Sequence, residues 1–288
     1  MTDGPGSVQA VSDGPATDQQ VGDQQVGDQH VRPFNARSLV LSVLLGLPEP
    51  ELDTPALMRL AGLFDIADGT MRTALSRMVT GDDLVALGGG YRLAPRHAER
   101  KAAQDLGRTM PPGAWDGAWW IVAVTAPARA LAERRVFRSH MTNARMGELR
   151  PDTWLRPANT AAPNLAGSDA VAVRGPLSGG DSGALVARLW DLDAIARRGS
   201  DLTDRLGEAS RRLERAGAPG IPAAMLVAAD CVRYLREEPY LPPALTPDAW
   251  PIDDLRQAYR EFDRLLGRTL AAALTPTHPS VGRPPSGR

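Results

Sequence analysis

The sequence predicts a multidomain α+β protein: a winged helix-turn-helix, a ferredoxin-like middle domain and a helical C-terminal domain. Three observations support this. Residues 54–93 show two helical patterns and then a Gly-rich hairpin, residues 114–190 mix strand and helix patterns, and residues 191–274 show helical periodicity almost throughout. A chain of 288 residues is long enough for two or three such domains.

Composition sets the expected boundaries. Residues 1–30 contain five aspartates, no lysine or arginine and few aliphatic side chains, so they cannot bury enough apolar surface to offset the entropy of ordering. The Met-Pro-Pro-Gly sequence at 110–113 predicts a linker. The expected units are a disordered tail (1–32), a winged helix DNA-binding domain (33–108), a ferredoxin-like middle domain (114–190), a helical C-terminal regulatory domain (191–274) and a second disordered tail (275–288).

The N-terminal domain should begin with a helix over Ala36–Leu47. Thr54 is the predicted N-cap of the next helix, with Pro55 at its first position, and Gly62 should end that helix. Both helices carry regularly spaced apolar residues. They therefore form the scaffold on which a third, more polar helix would lie.

The third helix is the candidate recognition helix, with Asp68 as its predicted N-cap and Gly81 as its C-cap. Its apolar stripe follows the i, i+3, i+4, i+7, i+8 pattern and consists of Met71, Ala74, Leu75, Met78 and Val79. Its opposite face has two guanidinium groups, three hydroxyls and no acid: Arg72, Thr73, Ser76, Arg77 and Thr80. Such a helix on its own is more often a solvated surface helix, so its neighbours decide the interpretation.

Two strands at 84–87 and 91–93, joined by Gly88, Gly89 and Gly90, follow this helix and predict a wing. We expect the three glycines to supply positive φ angles and to let the backbone approach a phosphate. Arginine can bond guanine edges or phosphate, and Ser and Thr can reach either. The predicted DNA contacts are Thr70, Arg72, Thr73, Ser76, Arg77, Gly89, Tyr91 and Arg92.

The charge balance of the chain is compatible with DNA binding but does not by itself indicate it. The net charge is –1, and residues 31–110 hold ten basic against nine acidic side chains. Affinity for non-specific DNA comes mostly from charge, so this balance favours a site-specific dimer over a coating protein. The lone Cys231 excludes an intrachain disulfide and predicts a buried apolar residue. Without a secretory signal or a membrane-length apolar run, the cytoplasm is the expected location.

The middle domain should begin with a buried strand at 119–124, followed by a helix from Pro127 to about Arg145. Strands are predicted at 153–157 and 170–174, and residues 184–190 fit either a strand or a helix. This β-α-β-β order, with one further helix and strand, would complete a ferredoxin-like sandwich. The C-terminal domain should contain helices over Leu192–Ala216, Ile221–Arg236 and Ile252–Leu274, with a proline-rich connector at 238–251.

Five stretches of the chain resemble the PaaX family of bacterial repressors. They are residues 69–78, residues 115–120, residues 147–157 with Trp-Leu-Arg-Pro at the end, residues 189–192, and Glu-Pro-Tyr-Leu-Pro-Pro at 238–243 with Trp-Pro at 250–251. The resemblance spans roughly residues 36–270 and implies the three-domain layout above. It also implies a homodimer that represses phenylacetate catabolism genes and leaves its operator when phenylacetyl-CoA, an aryl-CoA thioester, binds. It implies no cofactor.

The predicted middle-domain helix is basic, and its ligand-binding candidates are Arg134, Arg138, His140 and Arg145. They could line a solvated helix face, bind the phosphates of a CoA ligand or contact DNA flanks.

No enzymatic constellation stands out in the sequence. The four histidines are scattered, and no metal-ligand spacing, nucleophile elbow or phosphate loop with lysine is present. The alternative is that the ferredoxin-like domain retains nuclease or other catalytic activity. A nuclease of this shape would want an acid at the end of its first strand, and that strand is followed by Thr125, Ala126 and Pro127. We therefore expect a regulator and not an enzyme.

Overall fold

The computed structural model describes residues 34–109, 114–126 and 128–275. The predicted tail at 1–32, the linker at 110–113 and all but the first residue of the tail at 275–288 lie outside the described residues. Within these ranges, none of the helices combines the length and the apolar character that crossing a membrane requires.

The N-terminal region consists of three helices and a small antiparallel sheet. Its elements are α1 (Ala36–Gly46), β1 (Glu51–Asp53), α2 (Thr54–Leu63), α3 (Asp68–Thr80), β2 (Leu84–Ala86) and β3 (Gly90–Leu93). The sheet order is β1-β3-β2, with both neighbouring pairs antiparallel. Strand β1 was not predicted, because a three-residue Glu-Leu-Asp segment carries no strand pattern of its own.

Two predicted caps are wrong. The N-cap of α2 is Asp53, whose Oδ1 accepts a 2.6 Å hydrogen bond from the Ala56 N–H, while the Thr54 hydroxyl donates to the Gly89 carbonyl instead. Helix α3 already includes Asp68, so Ala67 holds the N-cap position without a side-chain bond. The predicted C-cap, Gly81, is confirmed. In each case the helix begins one residue earlier or later than its neighbouring polar residues suggested, which is within the usual uncertainty of a helix boundary.

The middle region is a four-stranded antiparallel sheet covered by one helix on each face. Its elements are β4 (Ala118–Val124), α5 (Leu131–Asn143), β5 (Gly147–Arg150), β6 (Thr153–Pro157), β7 (Ala170–Pro176) and α6 (Ser182–Leu189). The strand order is β5-β6-β4-β7. Residues 184–190, left open between strand and helix, fall mainly in α6.

The middle sheet differs from the expected element order at two points, since the unpredicted strand β5 lies between α5 and β6, and in the described residues no further strand of the sheet follows α6. Alternation along β4 explains why two helices suffice. Val122 faces the side where Phe137 and Met141 of α5 pack, whereas Trp119 faces the side where Val186 of α6 packs. The sheet therefore has one small apolar core on each face.

The remaining helices are α4 (Ala98–Thr109), α7 (Leu192–Ala216), α8 (Ile221–Glu237) and α9 (Ile252–Leu274). The apolar sides of α7, α8 and α9 join those of the N-terminal helices in one continuous core. In it, fully buried Leu57 and Leu60 of α2 belong to the same cluster as Leu206 of α7 and Phe262 of α9. The N-terminal region is thus packed against the C-terminal helices.

Candidate nucleic-acid interface

Helix α3 has one fully buried and one fully exposed side. Met71, Leu75 and Met78 are at most 1% exposed, and their spacing places them on one face. The other face is exposed and carries the predicted contacts Thr70, Arg72, Thr73, Ser76 and Arg77. Neither Arg72 nor Arg77 forms an ion pair or a side-chain hydrogen bond with any residue that the structure describes. Their guanidinium groups are therefore available to an external anion or base.

The hairpin formed by β2 and β3 begins four residues after α3, and its glycines act differently from the prediction. None of Gly88, Gly89 and Gly90 has a positive φ angle, so that expectation is wrong. Gly90 is needed because a Cβ atom there would lie 2.3 Å from the Leu52 carbonyl oxygen on the paired strand β1. Glycine is therefore required at position 90 because the β1 and β3 backbones approach closely there. A Cβ atom added at Gly88 or Gly89 would meet open space.

The tip of the hairpin is tied to the start of α2. The Gly89 carbonyl accepts both the Thr54 N–H, at 2.9 Å, and the Thr54 hydroxyl, at 3.2 Å. Two bonds from one residue fix the tip relative to the helix that supports α3. Gly89 is exposed, and a Cβ atom added there would meet open space.

Tyr91 and Arg92 are less free than the sequence suggested. Tyr91 is half-buried and packs against the main core. Arg92 donates two hydrogen bonds to Glu51 Oε2 on β1, from Nε at 3.0 Å and from Nη2 at 2.7 Å. Both side chains of this pair are roughly half exposed (54% and 41%), so the attraction is screened by water. A phosphate could share this guanidinium only by competing with Glu51.

A buried carboxylate, Asp83, joins the end of α3 to α1 and to the segment after the hairpin. It accepts hydrogen bonds from Arg37 Nε at 2.8 Å, pairs with Arg96 Nη2 at 2.8 Å, and lies 3.1 Å from His97 Nε2. Burial raises the pKa of this carboxyl, but the hydrogen bonds from Arg37 and His97 and the charges of both arginines outweigh it, and the pKa lies below its ordinary value. The cluster does not show in the sequence, because its members are far apart along the chain.

The four cationic candidates around α5 all have partners inside the protein. Arg134 Nε donates to the Arg129 carbonyl at 3.2 Å, and Arg138 pairs with Glu148 at 2.7 Å. His140 bonds the Asn164 carbonyl, and Arg145 pairs with Glu238 at 3.1 Å.

Arg138 and Arg145 line one cleft of about 240 Å³ between the middle sheet and the end of α8. Trp154 and Trp190 provide its aromatic surface, and Glu148 and Glu237 its acids. Arg134 and His140 do not line this cleft. The structure thus brings two of the four ligand-binding candidates together.

Behind the cleft lies a buried ionic cluster that sequence analysis also missed. The Glu238 side chain is fully buried and accepts hydrogen bonds from Arg145 and from Arg256 of α9. The two guanidinium groups lie 5.0 Å and 4.9 Å from the ring centre of Tyr240. Burial lowers the pKa of Arg145, the charge of Glu238 opposes this, and Arg256 adds to the lowering. The sequence feature that could have indicated this cluster is the proline-rich motif with Glu238 and Tyr240, because it places an acid and an aromatic ring in a rigid connector.

Cys231 is buried, as predicted, and burial raises the pKa of its thiol to about 12. Across the described ranges, no three His, Cys, Asp or Glu side chains lie together in an arrangement that could hold a metal ion.

Comparison with known proteins identifies the relatives of this chain. The family model for the PaaX protein central Cas2-like domain matches residues 112–168, which contain β4, α5, β5 and β6. The solved structure of the uncharacterized protein Rv0674 from Mycobacterium tuberculosis is 33% identical, with a TM-score of 0.65 over 83% of this chain and 99% of that chain. This chain belongs to the PaaX family. A search of the curated proteins gave no match.

Membership of the PaaX family indicates a transcriptional regulator. The α+β architecture with two antiparallel sheets agrees with it, and the β5-β6-β4-β7 sheet is the part that fits a Cas2-like domain. The family recognised from the sequence is therefore confirmed, and the predicted α+β class agrees with the structure.

Proposed function

We propose that this PaaX-family chain is a cytoplasmic, homodimeric repressor that binds operator DNA through residues 33–108, arranged as a winged helix-turn-helix. The observation that carries the proposal is the exposed polar face of α3, where Arg72 and Arg77 have no partner within the described ranges. The element order α1-β1-α2-α3-β2-β3 and the sheet order β1-β3-β2 support it, because a hairpin then follows the recognition helix directly.

In this proposal, α3 enters the major groove. Arg72 and Arg77 read base edges, and Thr70, Thr73 and Ser76 contact bases or phosphates beside them. The hairpin lies along the adjacent backbone, with Gly89 allowing close approach and Arg92 exchanging Glu51 for a phosphate. Tyr91 supports the hairpin from below. Phosphate contacts fix the register, while the α3 side chains provide sequence preference.

The genes controlled would be those of aromatic-acid catabolism of the phenylacetate type, and the inducer an aryl-CoA thioester. The support for a ligand site is the cleft at Arg138 and Arg145, because its aromatic walls suit an aryl group and its guanidinium groups suit an anion. Arg134 and His140 would contact the ligand only outside this cleft.

Helix α9 provides a physical route from that cleft to the DNA-binding region. Near its start, Arg256 shares Glu238 with Arg145 of the cleft. At its other end, 18 residues further on and therefore about 27 Å away, the Leu274 carbonyl accepts a 2.7 Å hydrogen bond from Arg59 of α2. A ligand that moves Arg145 would therefore act through α9 on the helix that supports α3.

The test begins with the purified full chain and a random DNA library. We expect it to retain one family of duplexes, to run as a dimer in light scattering, and to release the duplex when phenylacetyl-CoA is added. Failure to enrich any sequence would contradict the DNA-binding function. Release by no aryl-CoA thioester would reject that class of inducer while leaving DNA binding intact.

We propose no catalytic step for the middle sheet. Strand β4 ends at Val124 and is followed by Thr125 and Ala126, so the strand itself supplies no carboxylate for a nuclease metal. Asp152 and Asp169 lie beside this end, but no group of three possible metal ligands forms among the described residues. The measurement is incubation of the purified chain with RNA and a divalent cation. Cleavage that a chelator abolishes would establish the nuclease alternative.

A further inference from the structure

Two arginines bound to Asp83 keep unused donors in solvent. Arg37 engages Asp83 only through Nε, so its two terminal nitrogens have no partner among the described residues. Arg96 uses Nη2 for Asp83 and Nη1 for the Gly81 carbonyl, each at 2.8 Å. The side chains of Arg37 and Arg96 are 56% and 48% exposed. Asp83 therefore holds both guanidinium groups in place without covering them.

A third arginine belongs to the same surface. Arg100, in the first turn of α4, is an exposed residue with no ion pair or hydrogen bond inside the described part of the chain. Partial burial of its guanidinium lowers its pKa, and the charges of Arg236 and Arg37 lower it further. Arg100 lies four residues after Arg96, one helical turn along the segment that runs from Pro95 into α4, so the two side chains leave the same side of that segment.

The charge of this cluster exceeds what the buried acid needs. Arg37 and Arg96 share one carboxylate and Arg100 has none, and in the described ranges the nearby acids Asp82 and Glu99 pair with none of the three. A buried carboxylate needs hydrogen bonds and one opposite charge to be stable, and Arg37 with His97 would supply both. The positive charges that Asp83 does not neutralise repel one another, and a bound anion would reduce this repulsion.

We propose that Arg37, Arg96 and Arg100 form a phosphate-binding patch that takes the DNA backbone beside the C-terminal end of α3. This inference rests on the proposed DNA-binding function. Arg96 places the patch there, because it bonds the carbonyl of Gly81, the C-cap of α3. Guanidinium groups bind phosphate oxygens in bidentate fashion, so pre-positioned arginines suit a backbone contact. Asp83 is the positioning residue of the patch.

The test uses the salt dependence of DNA binding. A duplex selected by the wild-type chain is titrated by fluorescence anisotropy from about 50 to about 200 mM salt. The slope of log affinity against log salt concentration should become less steep by about 0.9 for each phosphate contact that is lost. Over this four-fold range of salt, that change corresponds to a difference of about 3.5-fold in how far the affinity falls. We expect this for R37Q, R96Q and R100Q singly. In the triple variant the slope should fall by about 2.7, which corresponds to about 40-fold in affinity across the same range.

Arg188 on α6 is the matched control, because R188Q removes the same charge from another exposed surface and should leave the slope unchanged. R100Q breaks no internal bond, so it carries the test even if replacing Arg37 or Arg96 lowers the melting temperature. An unchanged slope in R100Q and in the folded variants would overturn the patch.

The outcomes also separate this inference from the function on which it rests. If R72A weakens binding of the selected duplex while the three patch variants bind like wild type, the patch fails and the DNA-binding function stands. If the wild-type chain retains no duplex, both fail. A third outcome is that pyrophosphate binds the wild type but not R100Q, while the salt dependence of DNA binding is the same in both. In that case the patch binds a small phosphate ligand, and its assignment to the DNA backbone is wrong.

Discussion

Helices α3 and α5 are both rich in arginine, yet they use it differently. On α3, Arg72 and Arg77 point away from a buried apolar stripe and have no partner in the described ranges. On α5 and the turn after it, Arg138 is paired with Glu148 and Arg145 with Glu238, whereas Arg134 bonds only the Arg129 carbonyl and Arg135 has no ion pair in the described ranges. A basic helix in a sequence therefore does not by itself indicate a binding surface. What matters is whether the fold supplies an acid for each cation.

The three arginines around Asp83 form an intermediate class. Arg37 and Arg96 have an internal partner and still expose about half of each side chain. Such residues are held in place and remain able to bind. The following predictions separate structural cations from binding cations, beginning with the largest expected effect.

Replacing Glu238 should be the most damaging change. E238A leaves the buried guanidinium groups of Arg145 and Arg256 without their shared carboxylate, and breaking a buried ion pair in this way costs about 3–5 kcal/mol. Urea denaturation measures the free energy of unfolding. E237A is the matched control, because that neighbouring side chain is 46% exposed, and it should change stability by about 0.5 kcal/mol or less. Equal effects in the two variants would show that the buried cluster does not stabilise the fold.

Replacing Arg72 should weaken operator binding and leave the fold unchanged. R72A or R77A should cost about 1–3 kcal/mol of binding free energy if the side chain contacts a base. The melting temperature should stay the same, because neither side chain has a partner in the described structure. Gel shifts on the selected duplex measure the effect, with R188A as the control for loss of one charge. Wild-type affinity in both α3 variants would remove this helix from the interface.

Gly90 tests how the hairpin is held beside α3. In G90A the new methyl group would meet the Leu52 carbonyl, so the pairing of β1 with β3 must shift, at a cost of about 1–3 kcal/mol in stability. G88A is the control, since a methyl group there meets open space and should be tolerated. Thermal melts of the two variants make the comparison. Similar melting temperatures would mean that the close approach at Gly90 is easily relieved.

The smallest effect should come from Arg138. The Arg138 side chain, which pairs with Glu148, is 65% exposed. Exposed ion pairs of this kind contribute about 0–1 kcal/mol to the free energy of unfolding. R138A should therefore fold almost as well as the wild type, by denaturation, while binding phenylacetyl-CoA more weakly. A stability loss comparable to that of E238A would place Arg138 with the structural cations and take it out of the ligand site.

Periodic features were predicted well. The stripe of α3, the alternation of β4 and the bounds of α7 and α9 follow from residue spacing alone, because each pattern reports which face is buried. The prediction of positive φ angles at the hairpin glycines is wrong for a related reason. A glycine can be required by its own torsion or by a neighbouring strand, and the sequence does not distinguish the two.

Sequence by itself determined the order of the helices, most of the strands, the buried state of Cys231 and the family to which the chain belongs. Those depend on local periodicity and on motifs that lie within a few residues of one another. Only the tertiary structure decided which arginines are free, because the acid that neutralises each one is supplied from another element: Glu238 lies 93 residues from Arg145, and Asp83 lies 46 residues from Arg37. Electrostatic interactions act through space, so the ion pairs that divide binding cations from structural ones exist only once the chain has folded.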